Sequence, residues 1–486
     1  MGMAKFHVLS NKIKTFFIEE IKNFTKDFIN PKLLLLKCNY FFLLSAVVIL
    51  WPQITIHQKS LGLTEYHTGT IASVISASNI IFPILGGCVG DKVGNYKILM
   101  AIFSLISGAL AYSFTWIPSA VIEIPASNTS GTLLNSSFEA NSSASNSVMK
   151  ITDEDQLEIT FWIYLCVLPL YVIFFSITHI FLDAAVMANT QIADVNYGYQ
   201  RAWGTMGALV SSYVGGVIVG KTGSFTEIFY ISAALQTVSA ILMLTVNISF
   251  KIPAISLTKK FFQQLFRPEP ILLIGVSFFA GMFQGYFETF MYLFLFDLGG
   301  STELLGLTVT VGAPFEFVMT LVTCNLAKSF GYGPFITLGV LLHAVHHFGV
   351  CLIENPWWIL PLEAVGSASN GFFMTSSMGY ITILVQTETI ASFLGLFKII
   401  HDGAGRMLGT LIGTELRKYL THKEILAIWG SIAVATAIIY CSAYYALKKH
   451  RSTSNSTEHE PEQEQKGANS KKELSGIDNK ACEAEL

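Results

Sequence analysis

Twelve stretches of this chain are long and apolar enough to cross a lipid bilayer, and no soluble fold hides that many. They fall at about 33–56, 67–90, 97–118, 159–182, 202–220, 226–249, 270–296, 303–327, 334–353, 357–384, 390–415 and 424–447. A helix needs about 20 residues to cross roughly 30 Å of hydrocarbon. Barrel strands alternate over about ten residues, whereas the stretch Ile98–Ile117 runs its full length without a charge. The expected fold is therefore an all-α polytopic membrane protein with 12 transmembrane helices. Composition closes the other routes. The chain is 52% hydrophobic and 13% charged, where soluble domains carry roughly 25% charge. A net charge of −3 without a basic domain leaves no footprint for nucleic acid. A soluble enzyme and a disordered scaffold are excluded on the same grounds.

Lys and Arg set the orientation. With a cytosolic N-terminus, 17 basic residues up to Arg451 lie on the cytosolic side and six lie outside. Both termini are thus expected in the cytosol. The connection 119–158 is rich in Ser and Asn and carries N-x-S/T sequons at Asn128, Asn135 and Asn141. Glycosylation requires a lumenal or extracellular loop, and the same orientation puts this loop there. The arm 1–32 sets Phe16, Phe17, Ile21, Phe24 and Phe28 among lysines, as an interfacial helix would, or is disordered. The tail 448–486 is charged, poor in apolar residues and read as disordered.

The chain repeats internally. A shift of 237 residues lays the first three spans on spans seven to nine, and the shift then drops to about 200 because only the first half holds the long loop. Arg201-Ala202-Trp203-Gly204-Thr205 then falls beside Arg406-Met407-Leu408-Gly409-Thr410. The expected domains are a six-helix bundle at 33–250, a cytosolic linker at 251–269 and a second six-helix bundle at 270–447, related by pseudo-symmetry as in many secondary transporters.

Between spans two and three lies Gly87-Cys88-Val89-Gly90-Asp91-Lys92-Val93-Gly94-Asn95-Tyr96-Lys97. This resembles the G-x-x-x-D-[RK]-x-G-[RK]-[RK] loop signature of the major facilitator superfamily, with Asn95 and Tyr96 replacing two basic residues. The resemblance implies the major facilitator fold and a gate at Gly87, Asp91, Lys92 and Gly94 that latches the cytosolic side. A carboxylate such as Asp91 also suits a helix N-terminus. Further short matches run from Lys37-Cys38-Asn39-Tyr40-Phe41-Phe42 through Leu61-Gly62-Leu63-Thr64 and Asp297-Leu298-Gly299-Gly300 to Asn355-Pro356-Trp357-Trp358. These resemble the family of major facilitator superfamily domain-containing protein 6 and, more loosely, the lactose permease and nucleoside–proton symporter group.

Charges inside the spans need a reason, because one at the bilayer centre costs at least about 2.5 kcal/mol. The first half has almost none, and Lys37, near a span end, is expected to snorkel. The second half has Glu288, Glu316, Glu363, Lys398, Asp402 and Arg406. At 100° per residue Lys398, Asp402 and Arg406 share a face with Gly405, Gly409 and Gly413, and small residues mark close helix contact. Asp402 can pair with either basic residue at a spacing of four. Glu288 lies in line with Gln284, Glu316 with Gly312 and Thr320, and Glu363 with Gly366 and Asn370. Each helix so presents one wet face, and three acids on different spans suggest a proton or cation route. Asn39 and Asn79 are the first-half candidates for hydrogen bonding to a solute. His343, His346 and His347 are read as packed histidines, since no spacing supports a metal site.

These readings converge on alternating-access transport of a small polar solute, with a coupling proton and no other cofactor. An uncoupled uniporter and a non-transporting receptor or scaffold are the alternatives. The chain is taken as a monomer and not an enzyme, partnered by the lipid bilayer and its solute, in the plasma or endolysosomal membrane.

Overall fold

The computed structural model describes residues 33–93, 96–125, 148–193, 197–245, 259–386 and 389–449, together with Lys22; over 83–93 only the backbone course is described. Asn128, Asn135, Asn141 and Gly94 lie outside the described residues, as do nearly all of the arm and the tail. Gly87, Asp91 and Lys92 continue a helix.

Helices occupy the described parts of the expected spans. The first is split into α1 (Leu34–Val48) and α2 (Trp51–Ser60). Then come α3 (Glu65–Val93), α4 (Tyr96–Ser113), α5 (Glu154–Ala193), α6 (Tyr197–Thr222) and α7 (Thr226–Thr245). The short α8 (Lys259–Leu265) precedes the second half. That half holds α9 (Pro268–Asp297), α10 (Thr302–Phe330), α11 (Tyr332–Leu352) and α12 (Ile359–Leu384). A single interrupted helix follows, made of α13 (Ile390–Lys398), a π segment (Ile399–Gly405) and α14 (Arg406–Leu416), and α15 (His422–Lys449) completes it. Among the described residues, nine helices have the length and mean hydropathy to cross a bilayer.

Two local features depart from the expected pattern. The split in the first span falls just before Pro52, which has no N–H to donate and occupies the first turn of α2. The 119–158 connection, expected as an open loop, begins and ends in an antiparallel ribbon. Its strands β1 (Val121–Pro125) and β2 (Val148–Thr152) pair Val121 with Thr152 and Pro125 with Val148. Val121, Ile122, Ile124, Val148 and Ile151 supply the β-branched residues that such pairing favours. This ribbon marks one end of the bundle, called below the hairpin end; Thr245, where α7 ends, and Lys259, where α8 begins, mark the other, the linker end.

The repeat is visible in the backbone. Gly62 and Gly299 are 237 residues apart, and both close their turns at positive φ, 96° and 84°. Each turn is followed by a capping hydroxyl. The Thr64 Oγ1 accepts from the His67 N–H at 3.4 Å, and the Ser301 Oγ accepts from the Leu304 N–H at 3.2 Å. The buried apolar residues divide the same way. One cluster runs from Phe261 to Tyr440 and takes only Ile56 from the first half, while two smaller clusters lie within Leu33–Met243.

The halves meet along two seams. α3 packs on the π segment and α14, and α6 packs on α10. The repeat carries span two onto span eight and span five onto span eleven, so each seam is the pseudo-symmetric image of the other. A glycine permits close approach at both, against backbone at one and against a threonine side chain at the other. A Cβ on Gly216 would lie 2.4 Å from the Thr302 carbonyl oxygen, and one on Gly69 would lie 2.0 Å from Thr414 Oγ1.

Candidate central site

α9 and α14 approach until their backbones touch. A Cβ on Gly409 would lie 2.1 Å from the Met282 carbonyl oxygen, and one on Gly285 would lie 2.3 Å from that of Arg406. The small-residue stripe expected on span eleven therefore faces α9 within the same half. This contact delivers Arg406 to Glu288. Its Nη1 donates to Glu288 Oε2 at 2.5 Å, and its Nη2 lies 3.5 Å from Asp402 Oδ1. Gln284 Nε2 donates to the other Glu288 oxygen at 2.7 Å, and His401 Nδ1 lies 2.7 Å from Asp402 Oδ1. Two carboxylates thus converge on one guanidinium, each with a second polar partner. The three side chains are half-buried, so removing one partner leaves the remaining charge poorly compensated.

Lys398 does not join this group. It is exposed, and Asp402 turns to Arg406 and His401 instead. The physical reason is the π segment, whose i→i+5 bonding shifts the helix face between Lys398 and Arg406, so that 100° per residue no longer holds there. Such segments occur where a helix re-aims side chains at a functional position.

The arginine and Glu288 form one wall of a cavity of about 110 Å³ between the halves. The opposite wall comes from the first half and includes Trp51, Gln58, Thr68 and Asn79. Asn79 is thus among the residues lining the cavity. Asn39 is not: it is fully buried within the first half, where its Oδ1 accepts from Ser239 Oγ at 2.6 Å. Glu316 accepts from Asn370 Nδ2 at 2.9 Å, between α10 and α12. Glu363 lies 3.8 Å from His346 Nε2. His343, His346 and His347 are buried; the His347 Nδ1–H donates to the His343 carbonyl at 2.7 Å, an ordinary helix back-bond. Neither Glu316 nor Glu363 lines the central cavity.

The first half is less bare of charge than its sequence suggests. Lys37 is fully buried and does not snorkel. Asp183 accepts from the Tyr40 hydroxyl and lies 3.8 Å from His179 Nδ1. The sequence reading overlooked Asp183 because it was placed at the end of span four; α5 continues ten residues beyond it.

Sequence reasoning also overlooked a set of residues at the hairpin end. Arg417 donates through Nε to Glu65 Oε2 at 2.7 Å and through Nη2 to Glu65 Oε1 at 3.1 Å, a bidentate pair joining the halves. Burial raises the Glu65 carboxyl, but neighbouring His422 and Arg417 outweigh it and bring it down to about 2. Lys59 pairs with Asp297, and Gln53 Nε2 donates to the Thr302 carbonyl at 3.0 Å, again across the halves. Each residue sits at a helix end, where a lone charge in sequence reads as ordinary solvent-facing polarity.

The sequence model of the MFS_1 like family matches residues 33–423. The chain belongs to that family. It is an integral membrane protein with a major facilitator fold. It is similar to the maltose permease of Geobacillus stearothermophilus, 24% identical over 259 residues that cover 53% of this chain and 64% of the permease. It is also similar to the melibiose permease of Enterobacter cloacae subsp. cloacae, 21% identical over 422 residues that cover 82% and 89%. The match therefore spans a little under two thirds of the maltose permease and most of the melibiose permease. Among solved structures, the nucleoside transporter NupG superposes with a TM-score of 0.65 at 16% identity, covering 86% of this chain and 99% of that one. At that identity the likeness concerns the fold.

Proposed function

We propose that this protein carries a small polar solute across its membrane by alternating access, coupled to protons. The observation that carries the reading is the Arg406–Glu288 pair in the wall of a cavity between the two halves. The opposing wall offers an indole, two amides and a hydroxyl, from Trp51, Gln58, Asn79 and Thr68. Such a combination suits a hydroxylated ring, with the indole stacking and the polar groups fixing orientation. The permease names of two relatives favour the same class of solute. A solute hydroxyl that takes Arg406 away from Glu288 frees that carboxylate to carry the coupling proton. The Arg417–Glu65 and Lys59–Asp297 pairs hold the hairpin end closed, and their separation accompanies opening on that side.

The test is uptake of a panel of hydroxylated solutes into proteoliposomes under an imposed pH gradient. Gradient-driven accumulation is expected for one class, with Glu288→Gln retaining exchange while losing accumulation. Uptake that ignores the gradient in both proteins makes the chain a uniporter. That second reading draws on one fact: both acids beside Arg406 already have a neutralising partner.

A further inference from the structure

We propose that Glu65, Asp297 and His422 form a transition-metal site, taking zinc in the first place, that ties the two halves together at the hairpin end. The site is distinct from the central cavity, and its metal binding does not depend on what the chain carries.

One carboxylate oxygen of Glu65, one of Asp297 and one ring nitrogen of His422 lie within 4.8 Å of one another. Ligands of a tetrahedral zinc ion sit about 3.4 Å apart, given bonds of about 2.1 Å. Small side-chain rotations close that gap. The donor set is one imidazole nitrogen and two carboxylate oxygens, which suits zinc better than the all-oxygen shells of calcium or magnesium.

His422 supplies the second, independent observation. Its side chain is only 8% exposed, and its Nε2 has no hydrogen-bond partner although it faces Glu65 Oε1 at 3.4 Å. A buried polar atom that faces a carboxylate without a hydrogen bond to it calls for an explanation. The other ring nitrogen, Nδ1, lies 2.9 Å from the Tyr286 hydroxyl. When that hydroxyl accepts from Nδ1–H, the lone pair is placed on Nε2, the nitrogen that faces Glu65. This is how a second residue orients a metal-bound histidine. Tyr286 is itself locked, packed against Phe290 and beneath Gly413.

Two cations already touch the carboxylates, and they differ. Arg417 holds Glu65 by a bidentate pair and donates through Nη1 to the Leu420 carbonyl at 2.6 Å, so it stays. A carboxylate has about four lone-pair sites, so Glu65 still has capacity for a metal. Lys59 pairs with Asp297 at the surface, with side chains 43% and 41% exposed, and such a pair is worth at most about 1 kcal/mol. Lys59 is therefore the group a metal displaces. Glu65 comes from the first half and Asp297 and His422 from the second, so a bound ion braces the closed hairpin end.

The experiment is zinc titration of the purified full-length chain in nanodiscs, read by competition with a fluorescent chelator. The parent should bind zinc at this site while calcium and magnesium fail to compete. His422→Gln should abolish the site, and Tyr286→Phe should weaken it about tenfold through loss of the orienting hydroxyl. Lys59→Ala should tighten it, because the competing ammonium is gone; that substitution lies at the surface and leaves the fold intact. Absence of zinc binding by the parent, zinc binding indifferent to His422→Gln, or a weaker site in Lys59→Ala would each overturn the proposal.

Discussion

The two halves share a turn, a cap and a helix contact, yet they present different chemistry to the cavity between them. Gly204 packs on Leu44 in the first half as Gly409 packs on Met282 in the second, and Arg201 precedes the one as Arg406 precedes the other. At the cavity, however, the first half shows neutral residues, Trp51, Gln58, Thr68 and Asn79, and the second shows Glu288 and Arg406. The first half keeps Lys37, His179 and Asp183 toward the linker end, away from that wall. Repetition thus sets the scaffold without dictating where charge goes. A neutral wall can stack and hydrogen-bond, and a charged wall can also exchange a proton.

This contrast predicts unequal responses to matched substitutions. Arg406→Ala should be the most damaging, leaving Glu288 and Asp402 without their shared partner. Removing one partner of a fully buried pair costs roughly 3–5 kcal/mol; these side chains are 24–30% exposed, so the cost should lie toward about 3 kcal/mol, and the midpoint of thermal unfolding in detergent should fall accordingly. An unchanged midpoint would show that the pair is solvated and that the walls do not differ as described.

Next come the matched glycines. An added methyl at Gly409 meets the fixed Met282 carbonyl at 2.1 Å, whereas at Gly204 it meets the tip of the Leu44 side chain at 2.4 Å, which can rotate away. Gly409→Ala should therefore cost about 1–3 kcal/mol and Gly204→Ala distinctly less, by the same melting measurement. Equal costs would mean that the second-half contact is no tighter than the first.

The latch supplies a third comparison. Arg417→Ala removes a half-buried bidentate contact and should expose cysteines introduced on the cavity wall to reagents added from the hairpin side. Lys59→Ala should change that labelling little, since exposed pairs contribute at most about 1 kcal/mol. The smallest stability effect belongs to the neutral wall. Asn79→Ala should move unfolding by no more than about 0.5 kcal/mol while raising the solute concentration needed for half-maximal uptake. A large loss of stability would make Asn79 a packing residue.

Much of this architecture could be read without coordinates, because long apolar runs leave a chain few ways to satisfy its backbone in lipid. The helix positions, the repeat and the inward face of Gly409 and Gly413 all follow from local periodicity. Glu288 and Arg406 stood out because charge in a span is costly enough to require a partner. Which partner it would be was not available from the same reasoning. Asp402 could have chosen Lys398 or Arg406, and the π segment decided for Arg406 by shifting the helix face between them. Asn39 and Asn79 look alike in sequence, and only packing separates a core amide bound to Ser239 from one that lines the cavity. Glu65, Asp297 and His422 give no local signal, since ordinary charged residues at helix ends become a cluster only when two halves close on each other. Periodicity and the cost of burying charge act along one helix and are written in its sequence. The partners across the seams depend on how helices far apart in the chain are brought together, and the tertiary structure alone settles them.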